Sequence, residues 1–157
     1  MDAAPENTPR IFIDGDACPV KAEALKVAER HHLPVVIVSN GGLRPSRDPM
    51  VTHVVVAKSP DAADDWIATN VSVGDIVVTA DIPLAGRIVQ AGAHAIGPNG
   101  RPFTPDSIGM ALAMRDLKQH LRETGEIKGY NPEFTKEDRS RFLGELDRMA
   151  RRAKASR

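Results

Sequence analysis

The sequence predicts an α/β fold, a three-layer α/β/α arrangement around a mainly parallel central sheet, with further helices at the C-terminal end. Three observations predict it. Short Val/Ile-rich runs ("IFI", "LPVVIVSN", "THVVVAK", "DIVVTA", "AHAIG") alternate with segments of helical spacing. The runs are continuously apolar, as expected of strands covered on both faces. Strand–helix alternation then implies parallel strands joined by right-handed crossovers.

Each element has its own justification. Arg10–Ile13 is a short apolar strand that ends in "DGD". Cys18–His31 has helical spacing, with Val20, Leu25, Val27 and Ala28 apolar among charges. "LPVVIVSN" and "THVVVAK" both read as fully buried strands. Residues 60–71 read as a helix, "DIVVTA" as a strand, Pro83–Ala91 as a helix and "AHAIG" as the last strand, which carries His94. After the turn-rich link "GPNGRPFTP" the pattern becomes helical. Residues 106–124 place Met110, Met114, Leu117 and Leu121 on one expected core stripe. "GEIKGYNPEF" is a loop. Thr135 then opens a last helix as a capping box with Asp138, with Phe142, Leu146 and Met149 as its core face.

Bulk properties narrow the class. At 157 residues the chain suits one domain. The expected division is a flexible leader at 1–9, a single domain at 10–150 and a frayed basic tail at 151–157. Lys+Arg and Asp+Glu both number 21. No global field therefore marks a nucleic-acid or membrane binder. The balance conceals a split: residues 1–100 hold eight Lys/Arg against twelve Asp/Glu, and residues 101–157 hold thirteen against nine. An acidic half beside a basic flank suits a polyanionic substrate, but a solvated helical surface with a basic tail is the simpler and preferred reading. The single cysteine, Cys18, forbids an internal disulfide. No apolar run approaches the ~20 residues of a membrane span. The leader "MDAAPENTPR" lacks the apolar segment of a signal peptide, so the expected location is the cytoplasm.

The carboxylates carry the chemistry. Ligands of an open parallel sheet bind beyond the carboxyl ends of its strands. Asp14 and Asp16 follow the first strand, Asp61, Asp64 and Asp65 follow the third, and Asp81 follows the fourth. At about 100° per residue, Ala63, Trp66, Ile67 and Val71 form the buried side of the middle helix. Asp64 lies at the margin of that side, Asp65 nearly opposite, and Asp61 in the first turn. Each acid also has a local reading. Asp16 can cap a helix starting at Ala17, Asp81 can cap one entered through Pro83, and Asp61 can favour the helix dipole. Caps do not call for four or five acids at one edge, and clustered anions need a compensating cation. Hard oxygen donors select Mg²⁺ or Mn²⁺. The expected ligands are Asp14, Asp16, Asp61, Asp64 and Asp81.

"SNGGLRPSR" contributes Ser39, Asn40, Arg44 and Arg47 at the same edge, either as a phosphate-holding loop or as a plain connection. Lys21, one turn into the first helix, is a further candidate phosphate contact. Thr79 is placed either to orient a water or carboxylate or simply to pack. Cys18 reads as a small buried side chain sooner than a nucleophile. His31 and His32 fall at a helix end, and Arg115 reads as a buried salt-bridge partner. Aromatic content of 4% argues against base stacking.

The blocks "DGDACPVKAEALKVAER", "DAADDWI", "GDIVVTADIPLA", "GPNGRPFTPDSI" and "FTKEDRSRF" resemble the YaiI/YqxD family of uncharacterised bacterial proteins, from about Ile11 to Leu146. That family in turn is similar to PIN-like nucleases. This resemblance implies a parallel α/β sheet whose clustered acids hold Mg²⁺ or Mn²⁺ and cut RNA. Asp14 matches the acid that ends the first strand. Asp64 with Ile67, preceded by Asp61, matches a later helix motif, and Thr79 with Asp81 matches a "T-x-D" after the fourth strand. Two departures stand out. Between the second and third strands only Asp48 represents an expected acid, and "GYN" at Gly129–Asn131 replaces a Gly-Gly-Pro turn. The implied activity is metal-dependent hydrolysis of phosphodiesters, RNA sooner than DNA, with Asp14, Asp16, Asp64 and Asp81 at its centre. A non-catalytic metal- or nucleic-acid-binding module is the alternative. A haloacid-dehalogenase-like phosphatase, suggested by "IFIDGD", is a third reading.

Overall fold

The computed structural model describes residues 8–15, 18–41, 46–59, 61–123 and 134–155. Asp16, Arg44, most of the expected leader and the "GYN" turn lie outside this set, as do the side chains of Arg115 and Leu121. Five strands form one all-parallel sheet in the order β3-β2-β1-β4-β5. They are β1 (Ile11–Asp14), β2 (Val35–Ser39), β3 (Val51–Val55), β4 (Ile76–Val78) and β5 (His94–Ile96). The helices are α1 (Lys21–His31), α2 (Ala62–Asn70), α3 (Ile82–Gln90), α4 (Pro105–Glu123) and α5 (Lys136–Ala155).

Side-chain alternation along the central strands builds two cores. Ile11, Ile13, Val35, Ile37, Ile76 and Val78 point to one face, where α1 and α5 cover them with Ala24, Val27, Phe142 and Leu146. Phe12, Val36, Val38 and Val77 point to the other, against Ile67 of α2 and Leu84 and Ile88 of α3. Helices on both faces explain the unbroken apolar runs. The expected three-layer α/β/α class is the one observed.

Several local expectations need correction. β3 is an edge strand and not a fully buried one: Thr52 and Val55 are exposed, because only β2 pairs with it. In α4 the described part of the presumed core stripe faces outward, with Met110 73%, Met114 54% and Leu117 50% exposed. Among the described side chains of that helix the buried one is Ile108, packed near Gly86 of α3. Its first turn is set by Thr104 and Ser107, whose hydroxyls accept from each other's backbone N–H. α1 begins at Lys21 with Val20 at the N-cap position, so the cap reading of Asp16 loses its helix. α5 continues to Ala155 and buries Ala153, past the expected end of the domain at 150.

The Thr135–Asp138 capping box is present in both directions, at 3.1 Å each. Gly100 allows α5 to dock. It adopts φ +84°, and a Cβ there would sit 2.5 Å from the backbone nitrogen of Phe142.

Candidate acidic site at the carboxyl edge of the sheet

β1 and β4 are neighbours, so the residues that follow them emerge side by side. Asp14 ends β1. Thr79 directly follows β4 and is 2% exposed. Its hydroxyl donates to Asp14 Oδ2 at 3.1 Å and accepts from the Asp81 backbone N–H at 3.0 Å. One buried hydroxyl thus fixes the carboxylate of one strand and the exit path of the next. Thr79 is both packed and hydrogen-bonded to a carboxylate.

Asp81 is the N-cap of α3, accepting from Leu84 N at 2.9 Å, with Pro83 in the first turn. The cap reading is therefore correct for Asp81, and it is not the whole account. Asp64, in the first turn of α2 and partly buried, lies against the same group. Burial pushes its carboxyl up to about 6, followed by the charges of Asp81 and Asp14, a hydrogen bond with Asp81, and the charge of Asp61. In its protonated form Asp64 donates and Asp81 accepts. Three segments distant in sequence contribute to this one electrostatic site.

The remaining acids separate as helix geometry requires. Asp65 points away and pairs with Arg87 at 2.8 Å, with a 64% exposed side chain. Asp61 occupies the N-cap position of α2, exposed and making no side-chain cap bond. Among the described residues, no group of three or more His, Cys, Asp or Glu side chains is arranged to hold a metal ion as it stands.

The candidate phosphate contacts divide too. Ser39 is buried at the end of β2, where its hydroxyl accepts from Gly41 N at 3.2 Å, so its first role is to shape the loop. Asn40 and Lys21 are half-buried near the same edge, and Arg47 is exposed. Cys18 is half-buried, and burial is the main cause of its raised thiol pKa, with opposing effects from the backbone of Val20 and from Lys21. That environment fits a packed thiol and disfavours a nucleophile.

Two arrangements had no signal in sequence spacing. His31 contacts Asp147 of α5 at 2.8 Å, and Arg139 of α5 reaches Glu23 of α1 at 2.7 Å. Both pairs are more than a hundred residues apart, so neither periodicity nor a local motif connects them.

Relatives place the chain in a family without an assigned activity. A UPF0178 protein of Mesorhizobium japonicum is 70% identical over 145 residues, covering 92% of this chain and 94% of the relative. One from Rhizobium meliloti is 65% identical over 144 residues, covering 92% and 99%. One from Rhodospirillum rubrum is 54% identical over 148 residues, covering 94% and 99%. No solved structure shows a significant match. The model of a family described as uncharacterised, YaiI/YqxD, matches residues 12–152, and the chain belongs to that family.

Proposed function

We propose that this protein is a divalent-metal-dependent hydrolase of phosphodiesters, PIN-like in design, acting in the cytoplasm on RNA sooner than DNA. The observation that carries the reading is that Asp14, Asp64 and Asp81, from three separate segments, meet at one edge of the sheet, with Asp14 held by the Thr79 hydroxyl. Burial and the neighbouring carboxylates of Asp81, Asp14 and Asp61 push the Asp64 carboxyl up to about 6. A proton here offsets crowding among anions, and a divalent cation is the stronger substitute at neutral pH. The donors fit Mg²⁺ or Mn²⁺, since they are carboxylate oxygens with a neighbouring hydroxyl and no thiolate or imidazole. Asp16, two residues beyond Asp14, is a further donor in sequence.

Such an ion supplies Lewis-acid polarisation of the phosphodiester and a lower pKa for a water beside it. The chain's own residues do the rest. Thr79 keeps Asp14 in one orientation. Protonated Asp64 donates to Asp81, and Asp64 is the acid of this pair placed to give up a proton. Lys21 and Arg47 are the described cations offered to phosphate oxygens, with Arg44 a further candidate in sequence, and the Ser39 hydroxyl accepts from Gly41 N at the end of β2.

The test is cleavage of mixed RNA and DNA oligonucleotides with Mn²⁺ or Mg²⁺, alongside Asp14→Asn. Metal-dependent cleavage lost in the variant supports the reading; cleavage that survives Asp14→Asn unchanged overturns it. Mn²⁺ binding without turnover favours the non-catalytic module. A trapped aspartyl-phosphate on Asp14 favours a phosphatase of the haloacid-dehalogenase type.

A further inference from the structure

We propose that Arg139 is a positioning residue for the acidic edge: from α5 it holds the Pro19 carbonyl at the entry to α1. The proposal rests on reading the end of β1 as the acid site.

Cys18 and Pro19 stand at this entry, a few residues after Asp14, and among the described residues no side chain caps the helix that follows. α1 starts without a side-chain cap, because its N-cap position is Val20. Support comes instead from 120 residues away. One guanidinium nitrogen, Nη1 of Arg139, donates to the Pro19 carbonyl at 3.0 Å and to Glu23 Oε1 at 2.7 Å. Phe134 backs the guanidinium with its ring face, 5.0 Å from the centroid. A single side chain therefore ties a carbonyl of the turn to the first turn of α1, and both to the start of α5.

The pairing is costly as a stability device. Glu23 is buried, and among the described residues its Oε2 has no partner. A half-satisfied buried acid is expensive, and an apolar pair in its place commonly stabilises more. What the ion pair provides, and an apolar contact does not, is a directional hold on the Pro19 carbonyl. The turn also lies within electrostatic reach of the acids, since the Cys18 thiol feels Asp14, Lys21 and Glu23.

The only cysteine of the chain reports on this turn directly. The experiment measures the rate at which a thiol reagent modifies Cys18 in the native full-length protein, and the apparent Mn²⁺ affinity, at a temperature where circular dichroism shows every variant folded. Arg139→Met keeps the stem and removes the donors. Arg148→Met is the control, as its guanidinium on the same helix pairs with Glu145. Cys18 in Arg139→Met reacts roughly tenfold faster, the factor expected when a charge-assisted hydrogen bond is lost from a locally opening unit. Its Mn²⁺ affinity falls by a similar factor, while Arg148→Met matches wild type in both. Arg139→Lys recovers part of each effect. If Arg139→Met does not fold, Glu23→Gln carries the test in the same direction. An unchanged Cys18 rate overturns the role of Arg139, even where wild type responds to Mn²⁺. A wild type without a Mn²⁺ response sinks the metal reading, and the Cys18 rate still decides the role of Arg139.

Discussion

Replacing Asp64 with Asn stabilises the metal-free protein at pH 8 and leaves it nearly unchanged at pH 4. The carboxyl rises from its ordinary 3.8 to about 6, with burial as the main cause and the charges of Asp81 and Asp14 next. Its folded pKa exceeds its unfolded one, so the native state holds the proton more tightly. Stability from this group is fully present below about pH 4 and declines as pH rises through about 6. Two pKa units at 1.4 kcal/mol each give roughly 3 kcal/mol, and solvent screening of this partly exposed site reduces that to about 1–2 kcal/mol. Asn is uncharged and keeps a donor for Asp81, so it imitates protonated Asp64 at every pH. The variant should melt about 2–8 °C higher than wild type at pH 8 in chelator, given the usual response of a chain this long. Urea and thermal unfolding at pH 4 and pH 8 make the comparison. If the proposed cation site exists, the same substitution abolishes the Mn²⁺ thermal shift that wild type then shows, so stability and ligand response move in opposite directions. A variant less stable than wild type at pH 8, or shifted equally at both pH values, refutes the account of this cluster.

Other predictions bear on separate parts of the fold. Thr79→Val, equal in volume, leaves the Asp81 N–H without its buried acceptor and should cost about 1–3 kcal/mol in urea unfolding. The Asp64→Asn/Asp81→Asn pair should show no Mn²⁺ or Mg²⁺ thermal shift where wild type shows one, and equal shifts would count against the site. A hydrogen bond from His31, with help from Arg30 and Arg151, holds the Asp147 carboxyl below its usual range. Its stabilising contribution is therefore present above about pH 4 and lost as pH falls further; His31→Ala should flatten the acid limb of an unfolding-against-pH curve. Gly100→Ala should destabilise by more than about 3 kcal/mol, since it combines a positive φ with backbone contact at 2.5 Å. A folded Gly100→Ala protein with wild-type melting would show that α5 docks differently.

The sheet was legible because its signal is local. Val36, Ile37 and Val38 announce a strand covered on both faces, and both faces are covered. β3 misled because "THVVV" reads like "VVIV" although only one neighbour pairs with it; edge position belongs to topology and not to composition. The stripe of α4 misled similarly. Met110, Met114 and Leu117 have the spacing of a core face, but periodicity shows which side is apolar and not whether a partner covers it. Asp64 was separable from Asp65 because a helix of known phase divides them, and Asp65 indeed finds Arg87 outside the cluster. The Arg139–Glu23 and His31–Asp147 pairs depend on the approach of α5 to α1, which no spacing encodes.

The competing accounts of the acidic edge make different demands on the same atoms. A helix cap needs one acceptor, and Asp81 Oδ1 already serves Leu84 N. Serine would cap α3 equally well and would spare Asp64 the repulsion it bears. Capping explains why Asp81 stands before α3. It does not explain why a second carboxyl is partly buried against it, or why Thr79 spends a buried hydroxyl on orienting a third. Local structure accounts for each acid's place in the chain. Their convergence sets like charges against one another in the ligand-free fold, and the proposed cation is one way to offset that repulsion.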